Sequence, residues 1–248
     1  MTDAAMTSRL GFRSGDIAVV TGAASGIGRA SAELLAAEGL AVVCWDIDGD
    51  RLDAVAAGIR TWGGVAHAIT CDVSNADAVS SAWDRMRGLG DARYLVNNAG
   101  PPSSSGLSVA EGLVAAAASM SNVGDAWLAH SDACEAMTVT SSIAGTWAAG
   151  GTADWYPMSK AAIAAYGRQV AAQHGGRPRA NIVQPGLVAT PRMTDFVSSD
   201  AGRALVAHNP LGRAGRADEI AAAIAFLLSP MASYINGATL VVDGGSVI

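Results

Sequence analysis

Lys160 is the only lysine in the 248-residue chain; the other basic residues are arginines. It stands four residues after Tyr156, in the stretch "DWYPMSK" (154 to 160). On a helix that spacing puts both side chains on one face. Pro157 fits such a helix only in its first turn, which places the pair at the helix mouth. A phenol is a poor base at neutral pH unless a fixed positive charge nearby favours the phenolate. A compact ammonium and the broad planar fork of arginine are not equivalent in that role. The pair reads as a tyrosine served by an ammonium; the plainer alternative is an ordinary surface lysine.

A second set of residues has the chemistry of a phosphate cradle. Gly22, Gly26 and Gly28 lie in "TGAASGIG", directly after the apolar run "IAVVT" (17 to 21). The free N–H groups and dipole of a helix opening there favour a pyrophosphate. Glycine lets the backbone approach the phosphates, and Gly28 lets helix and strand pack closely. A tight turn with no ligand is the alternative. Asp46, at the end of the next strand-like run, can accept hydrogen bonds from adenosine ribose hydroxyls and would repel a 2′-phosphate. Ala23 and Ala24 occupy the loop positions where a phosphate-clamping arginine would stand. The pattern favours NAD over NADP, unless Asp46 and Asp48 merely cap the following helix.

These residues need a scaffold, and the chain supplies alternating strand and helix signals. Strands are expected at 17 to 21, 41 to 45, 65 to 70, 93 to 96, 137 to 141, 180 to 183 and 238 to 242. Helices are expected at 25 to 39, near 50 to 60 and at about 75 to 88. Continuous apolar strands between helices imply a parallel sheet covered on both faces. Right-handed crossovers then give a doubly wound α/β fold, with a seven-stranded sheet in a single domain. The expected division is a flexible tail over 1–14 and one domain over 15–248.

Composition narrows the function further. Half of the residues are hydrophobic and 15% are charged, with a net charge of −6. That balance argues against a nucleic-acid or anionic-membrane surface. Cys44, Cys71 and Cys134 are odd in number and widely spaced, as expected for reduced thiols in the cytoplasm. His67, His130, His174 and His208 lack metal-ligand spacing, and no metal site is expected. The first 14 residues lack the apolar core of a signal peptide. The longest apolar run, "IAAAIAFLL" (220 to 228), is too short to span a bilayer, so a soluble protein is expected.

Taken together, the motifs resemble those of the short-chain dehydrogenase/reductase family. "TGAASGIG" is similar to its cofactor loop, "CDV" (71 to 73) to its adenine-side motif and "NNAG" (97 to 100) to its fourth-strand turn. "SSIAG" (141 to 145), "YPMSK" (156 to 160) and "PGLVAT" (185 to 190) follow in the family's order, and "VVDGG" (241 to 245) resembles its C-terminal turn. The resemblance runs from about residue 14 to the C-terminus and implies a Rossmann-like fold and an NAD(P)-dependent oxidoreductase.

It also implies roles. Tyr156 would be the general acid/base. Lys160 would favour its phenolate and hold the nicotinamide ribose. Ser142, with Ser141 as the alternative, would stabilise charge on the substrate oxygen. Asn122 would support a water-mediated relay to the lysine. Gly22, Ser25, Gly26, Ile27 and Gly28 would hold the pyrophosphate side of NAD and Asp46 its adenosine ribose. Asp72 and Val73 would meet the adenine, with Asn98, Ala99 and Gly100 lining the pocket floor. Pro185, Gly186, Val188 and Thr190 would flank the nicotinamide, although Thr190 is equally a helix cap before Pro191.

The spacings depart from the family pattern. Only 20 residues separate Asn122 from Ser142, and Ser142 precedes Tyr156 by 14, one more than the usual spacing. Arg93 stands where the family often has an aspartate. Trp147, Trp155, Met193 and Phe196 are expected to rim the substrate pocket beside Pro101 and Pro102, under a lid over 191–213. Large rings there suit an apolar, cyclic or aromatic secondary alcohol or ketone. An NADPH-dependent 3-oxoacyl reductase and a catalytically inactive nucleotide-binding sensor are the alternatives. The family commonly forms homo-oligomers, tetramers or dimers.

Overall fold

Apolar residues alternate between two buried layers along each central strand, because successive side chains of a strand point to opposite faces. The computed structural model of the protein describes residues 8–147 and 153–248. In chain order the first half contains β1 (Ile17–Thr21), α1 (Gly26–Ala37), β2 (Ala41–Asp46), α2 (Gly49–Thr61), β3 (Val65–Thr70), α3 (Ala76–Met86), β4 (Ala92–Asn97) and α4 (Val109–His130). The second half contains β5 (Ala136–Thr140), α5 (Trp155–Gln173), β6 (Arg179–Pro185), β7 (Val188–Ala189), α6 (Thr194–Ser198), α7 (Asp200–His208), β8 (Gly215–Arg216), α8 (Ala217–Leu228) and β9 (Thr239–Val242).

Among the described residues, seven strands form one parallel sheet in the order β3-β2-β1-β4-β5-β6-β9. This is the doubly wound α/β architecture anticipated from the apolar runs. Val19, Val43 and Trp45 face the layer that holds α3, α4 and α5, where Trp83, Met120, Trp127 and Trp155 are packed. Ala18, Val20, Val42 and Cys44 face the opposite layer, against Leu35, Leu52, Ile224 and Leu228. A two-residue ladder, β7 with β8, joins the segments on either side of α6 and α7.

Two local features differ from expectation. Residues 8–14 are docked rather than forming part of a flexible tail. Phe12 is buried and meets Tyr94 edge-on, with ring centroids 5.1 Å apart. The Ser8 hydroxyl donates to the Glu38 carboxylate at 2.7 Å. Residues 1–7 of the expected tail lie outside the described residues. The second difference is at β5, which ends at Thr140, so Ser141 stands just beyond the strand.

The N-terminal ends of the strands carry an ion cluster that accounts for Arg93. Its guanidinium pairs with Glu135 and lies 3.3 Å from Asp16, and Arg177 binds the same Glu135 carboxylate. Burial pushes the Glu135 carboxyl up, but Arg177 and Arg93 outweigh it and hold the group below its usual range. At Asp16, burial prevails over Arg93 and Arg13 and raises the carboxyl. Among the described residues no helix is long and apolar enough to cross a membrane.

Candidate active site

In the sheet order, connections leave in opposite directions on either side of the β1–β4 pair. The crevice outside the C-terminal ends of those strands is where doubly wound sheets take ligands. Thr21, the last residue of β1, staples that crevice. Its hydroxyl oxygen accepts the N–H groups of Asn98 at 2.9 Å and Ala99 at 3.0 Å. The Asn98 side-chain amide donates to the Thr21 carbonyl at 3.1 Å.

The glycine turn has a shape that only glycine permits. Gly22 has φ +71°, in the left-handed region, and a Cβ on Gly28 would lie 2.1 Å from the Gly22 carbonyl oxygen. Ser25 precedes α1 without a side-chain cap, so no side chain takes the N–H groups over Gly26, Ile27 and Gly28. Such a cradle fits a pyrophosphate.

The two aspartates after β2 have separate tasks. Asp48 caps α2, accepting the Arg51 N–H at 3.2 Å. The Asp46 carboxylate instead reaches back to the turn, accepting the Ala24 N–H at 3.0 Å, while its other oxygen takes the Asp48 N–H. Farther along the crevice, Asp72 closes its own turn by accepting from the Ser74 N–H and hydroxyl, and Val73 is buried. Gly100 follows the stapled residues of the fourth-strand turn.

Tyr156 and Lys160 lie in the first two turns of α5, with Pro157 in the first turn as the spacing required. The Lys160 ammonium is 5.5 Å from the centre of the Tyr156 ring and donates to the Thr140 carbonyl at 3.2 Å. The two serines after β5 are sorted by their partners. Ser141 is buried and donates to the Lys160 carbonyl at 2.6 Å. Ser142 is half-buried, and among the described residues its oxygen accepts only the Ala144 N–H, at 3.2 Å, and its hydroxyl donates to none. Among the described residues, Ser141 is thus committed to Lys160 and Ser142 is not.

Asn122 occupies α4, but its amide is engaged elsewhere. It donates to the carbonyls of Val73 and Ser74 at 3.1 and 3.2 Å, tying α4 to the adenine-side turn. The short connection after α4 is secured by Trp127 and Ser131, which both donate to the Ala92 carbonyl.

Pro185 ends β6, and the Gly186 N–H donates to the Val242 carbonyl at 3.0 Å. Val188 is buried in the β7–β8 ladder. Thr190 makes no side-chain cap, and its methyl group stands over the first turn, 3.2 Å from where a Cβ on Gly26 would lie. Trp147 is exposed, while Met193 and Phe196 are half-buried in the helical segment 191–208. Trp155 is only 2% exposed. It does not rim a pocket but belongs to the core between α4 and α5, a correction to the expected substrate set.

Sequence reasoning did not single out Thr21, Gln184 or Gly112. The buried Gln184 amide donates to the Thr146 hydroxyl at 2.9 Å, fastening the loop after Ser142 to β6. Thr21 opens the glycine motif and Gln184 adjoins "PGLVAT", while Gly112 lies in no motif; none of these positions reveals a partner distant in the chain.

Comparison with known proteins agrees with this geometry. The family model described as Enoyl-(Acyl carrier protein) reductase matches residues 22–246. The chain is 37% identical over 240 residues to a cis-4-hydroxycyclohexanecarboxylate dehydrogenase of Sinomonas cyclohexanicum, covering 92% of this chain and 95% of that protein. It is 31% identical over 243 residues to the 7alpha-hydroxysteroid dehydrogenase of Escherichia coli, covering 94% of each. A short-chain dehydrogenase of Burkholderia cenocepacia, crystallised in complex with NADP, superposes with a TM-score of 0.85 at 31% identity, covering 95% of this chain and 99% of that one. With its parallel sheet, its glycine cradle and its tyrosine and lysine on one helix face, the chain belongs to the short-chain dehydrogenase/reductase family of NAD(P)-dependent oxidoreductases.

Proposed function

We propose that the protein is an NAD-linked dehydrogenase of an apolar, cyclic or aromatic secondary alcohol, or equally a reductase of the ketone, with Tyr156 as general acid/base. The observation that carries the reading is the Lys160 ammonium beside the Tyr156 ring at the mouth of α5. Lys160 keeps a positive charge beside the phenol. Tyr156 then gives its proton to the carbonyl oxygen in reduction and takes the alcohol proton in oxidation. Ser142 donates to the same oxygen as charge develops on it.

The turn at Gly22, Gly26 and Gly28, with Ser25 and Ile27, would hold the pyrophosphate; Asp46 would hold the adenosine ribose. Asp72, Val73, Asn98, Ala99 and Gly100 would form the adenosine side, and Pro185, Gly186, Val188 and Thr190 the nicotinamide side. Bound there, the nicotinamide supplies the hydride chemistry. Trp147, Met193 and Phe196 would contact the substrate.

The preference for NAD rests on the Asp46 carboxylate standing at the Ala24 N–H, where a 2′-phosphate would meet a negative charge. The preference for a ring is supported by the similarity to a cis-4-hydroxycyclohexanecarboxylate dehydrogenase and a 7alpha-hydroxysteroid dehydrogenase. The acyl-carrier description of the family model favours a second reading, an NADPH-dependent acyl reductase. A homo-oligomer is supported by exposed Val114 and Met158 on α4 and α5 and by exposed Tyr234 and Leu240 near β9. The free, buried Cys44, Cys71 and Cys134 suit the cytoplasm.

A thermal-shift titration with NADH and NADPH side by side tests the cofactor, because a ligand of the native state raises the melting temperature. A larger shift with NADH, reversed towards NADPH in Asp46→Ala, supports NAD. A larger shift with NADPH in the unmodified protein overturns it and moves the substrate search to acyl ketones.

A further inference from the structure

We propose that Trp155, seated on Gly112 of α4, is the positioning residue that fixes Tyr156 for proton transfer. The inference rests on the acid/base reading of Tyr156 and adds the device that holds it.

Among the described residues no side chain caps the first turn of α5, although the Tyr156 N–H donates to the Ala153 carbonyl at 2.9 Å. Asp154, which precedes it, has helical backbone angles and makes no side-chain cap hydrogen bond. What secures the turn is the adjoining indole. Trp155 is 2% exposed, and its ring lies so close to α4 that a Cβ on Gly112 would come within 2.3 Å of Cδ2 and 2.4 Å of Cγ. Only a glycine in α4 leaves that socket open. The socket is itself held rigid, because Ser108 and Glu111 form a reciprocal capping box immediately before Gly112.

The indole then meets the Tyr156 ring edge-on, with centroids 5.8 Å apart and planes at 76°. Lys160 is fixed separately, from β5. Ser141 donates to its carbonyl, and a Cβ on Gly145 would lie 2.7 Å from the Ala161 nitrogen. The helix spaces the two residues, contacts from the β5 side hold Lys160, and Trp155, seated on α4, fixes how the phenol ring stands beside the ammonium. A misplacement of about 1 Å at a reacting group costs on the order of 100-fold in rate.

The test uses the full-length protein and the cyclic ketone it reduces best, with Gly112→Ala, Trp155→Leu and Trp155→Phe beside Tyr156→Phe. Melting temperature and NADH affinity identify the folded, cofactor-competent variants. In those, Gly112→Ala and Trp155→Leu are expected to lower kcat about 10- to 100-fold with KM nearly unchanged. Trp155→Phe should restore most of the activity. Fluorine NMR of a fluorotyrosine at position 156 supplies a readout independent of turnover; its resonance should move in Gly112→Ala. Unchanged kcat and fluorine resonance in a folded Gly112→Ala or Trp155→Leu protein, with Tyr156→Phe inactive, overturn the inference alone. An active Tyr156→Phe overturns the acid/base reading as well.

Discussion

The Ser141 hydroxyl donates to the Lys160 carbonyl at 2.6 Å, while among the described residues the neighbouring Ser142 hydroxyl donates to none. Two adjacent serines of one motif therefore differ in kind, and substitution should separate them. Ser142→Ala is expected to lower kcat about 100- to 1000-fold, the usual effect of removing a donor to a developing oxyanion, with an unchanged melting temperature. Ser141→Ala should instead cost about 1 kcal/mol of stability, with the smaller effect on turnover. Steady-state kinetics and thermal melts on the two variants check the assignment.

Tyr156→Phe removes the proton but keeps the ring that meets Trp155. It should lower kcat about 100- to 10000-fold, the range of general acid/base catalysis. The melting temperature and NADH affinity should stay near those of the unmodified protein.

Gly28→Ala tests the cradle. Its methyl group would lie 2.1 Å from the Gly22 carbonyl oxygen, so the turn or α1 must shift. The expected result is a loss of cofactor binding together with about 1–3 kcal/mol of stability, the usual cost of overpacking. Calorimetric titration with NADH and a denaturant melt read both.

The strand-end ion cluster gives a pH-dependent prediction. The folded-state carboxyl of Glu135 lies below its usual value, despite burial, because Arg177 and Arg93 bind the ionised form. Its stabilising contribution is therefore present above the unfolded-state range and lost as pH falls through the folded-state one. Glu135→Gln should cost about 1–3 kcal/mol near neutral pH. That difference should shrink in acid, as measured by urea melts across the acid range.

The seven strands were legible because buried parallel strands are written as continuous apolar runs such as Ile17–Thr21 and Ala41–Asp46. The glycine turn and the tyrosine–lysine pair were legible because both act over a few consecutive residues. Trp155 was not: one residue from Tyr156, it reads as a pocket ring, and nothing local shows that Gly112, 43 positions earlier, opens a socket for it. The side-chain partners of Asn122 were not legible for a similar reason, since Val73 and Ser74 are brought to it by the packing of α4. Phe12 looked like part of a polar tail until Tyr94 supplied its burial.

The most direct measurement is isotope transfer. The protein would be incubated with NADH deuterated at its transferable position and a panel of cyclic ketones, and the alcohols analysed by mass spectrometry. The account predicts deuterium on the carbinol carbon of at least one product, formed faster than from labelled NADPH and absent with Tyr156→Phe. Label appearing in no product, or appearing equally with Tyr156→Phe, would contradict it.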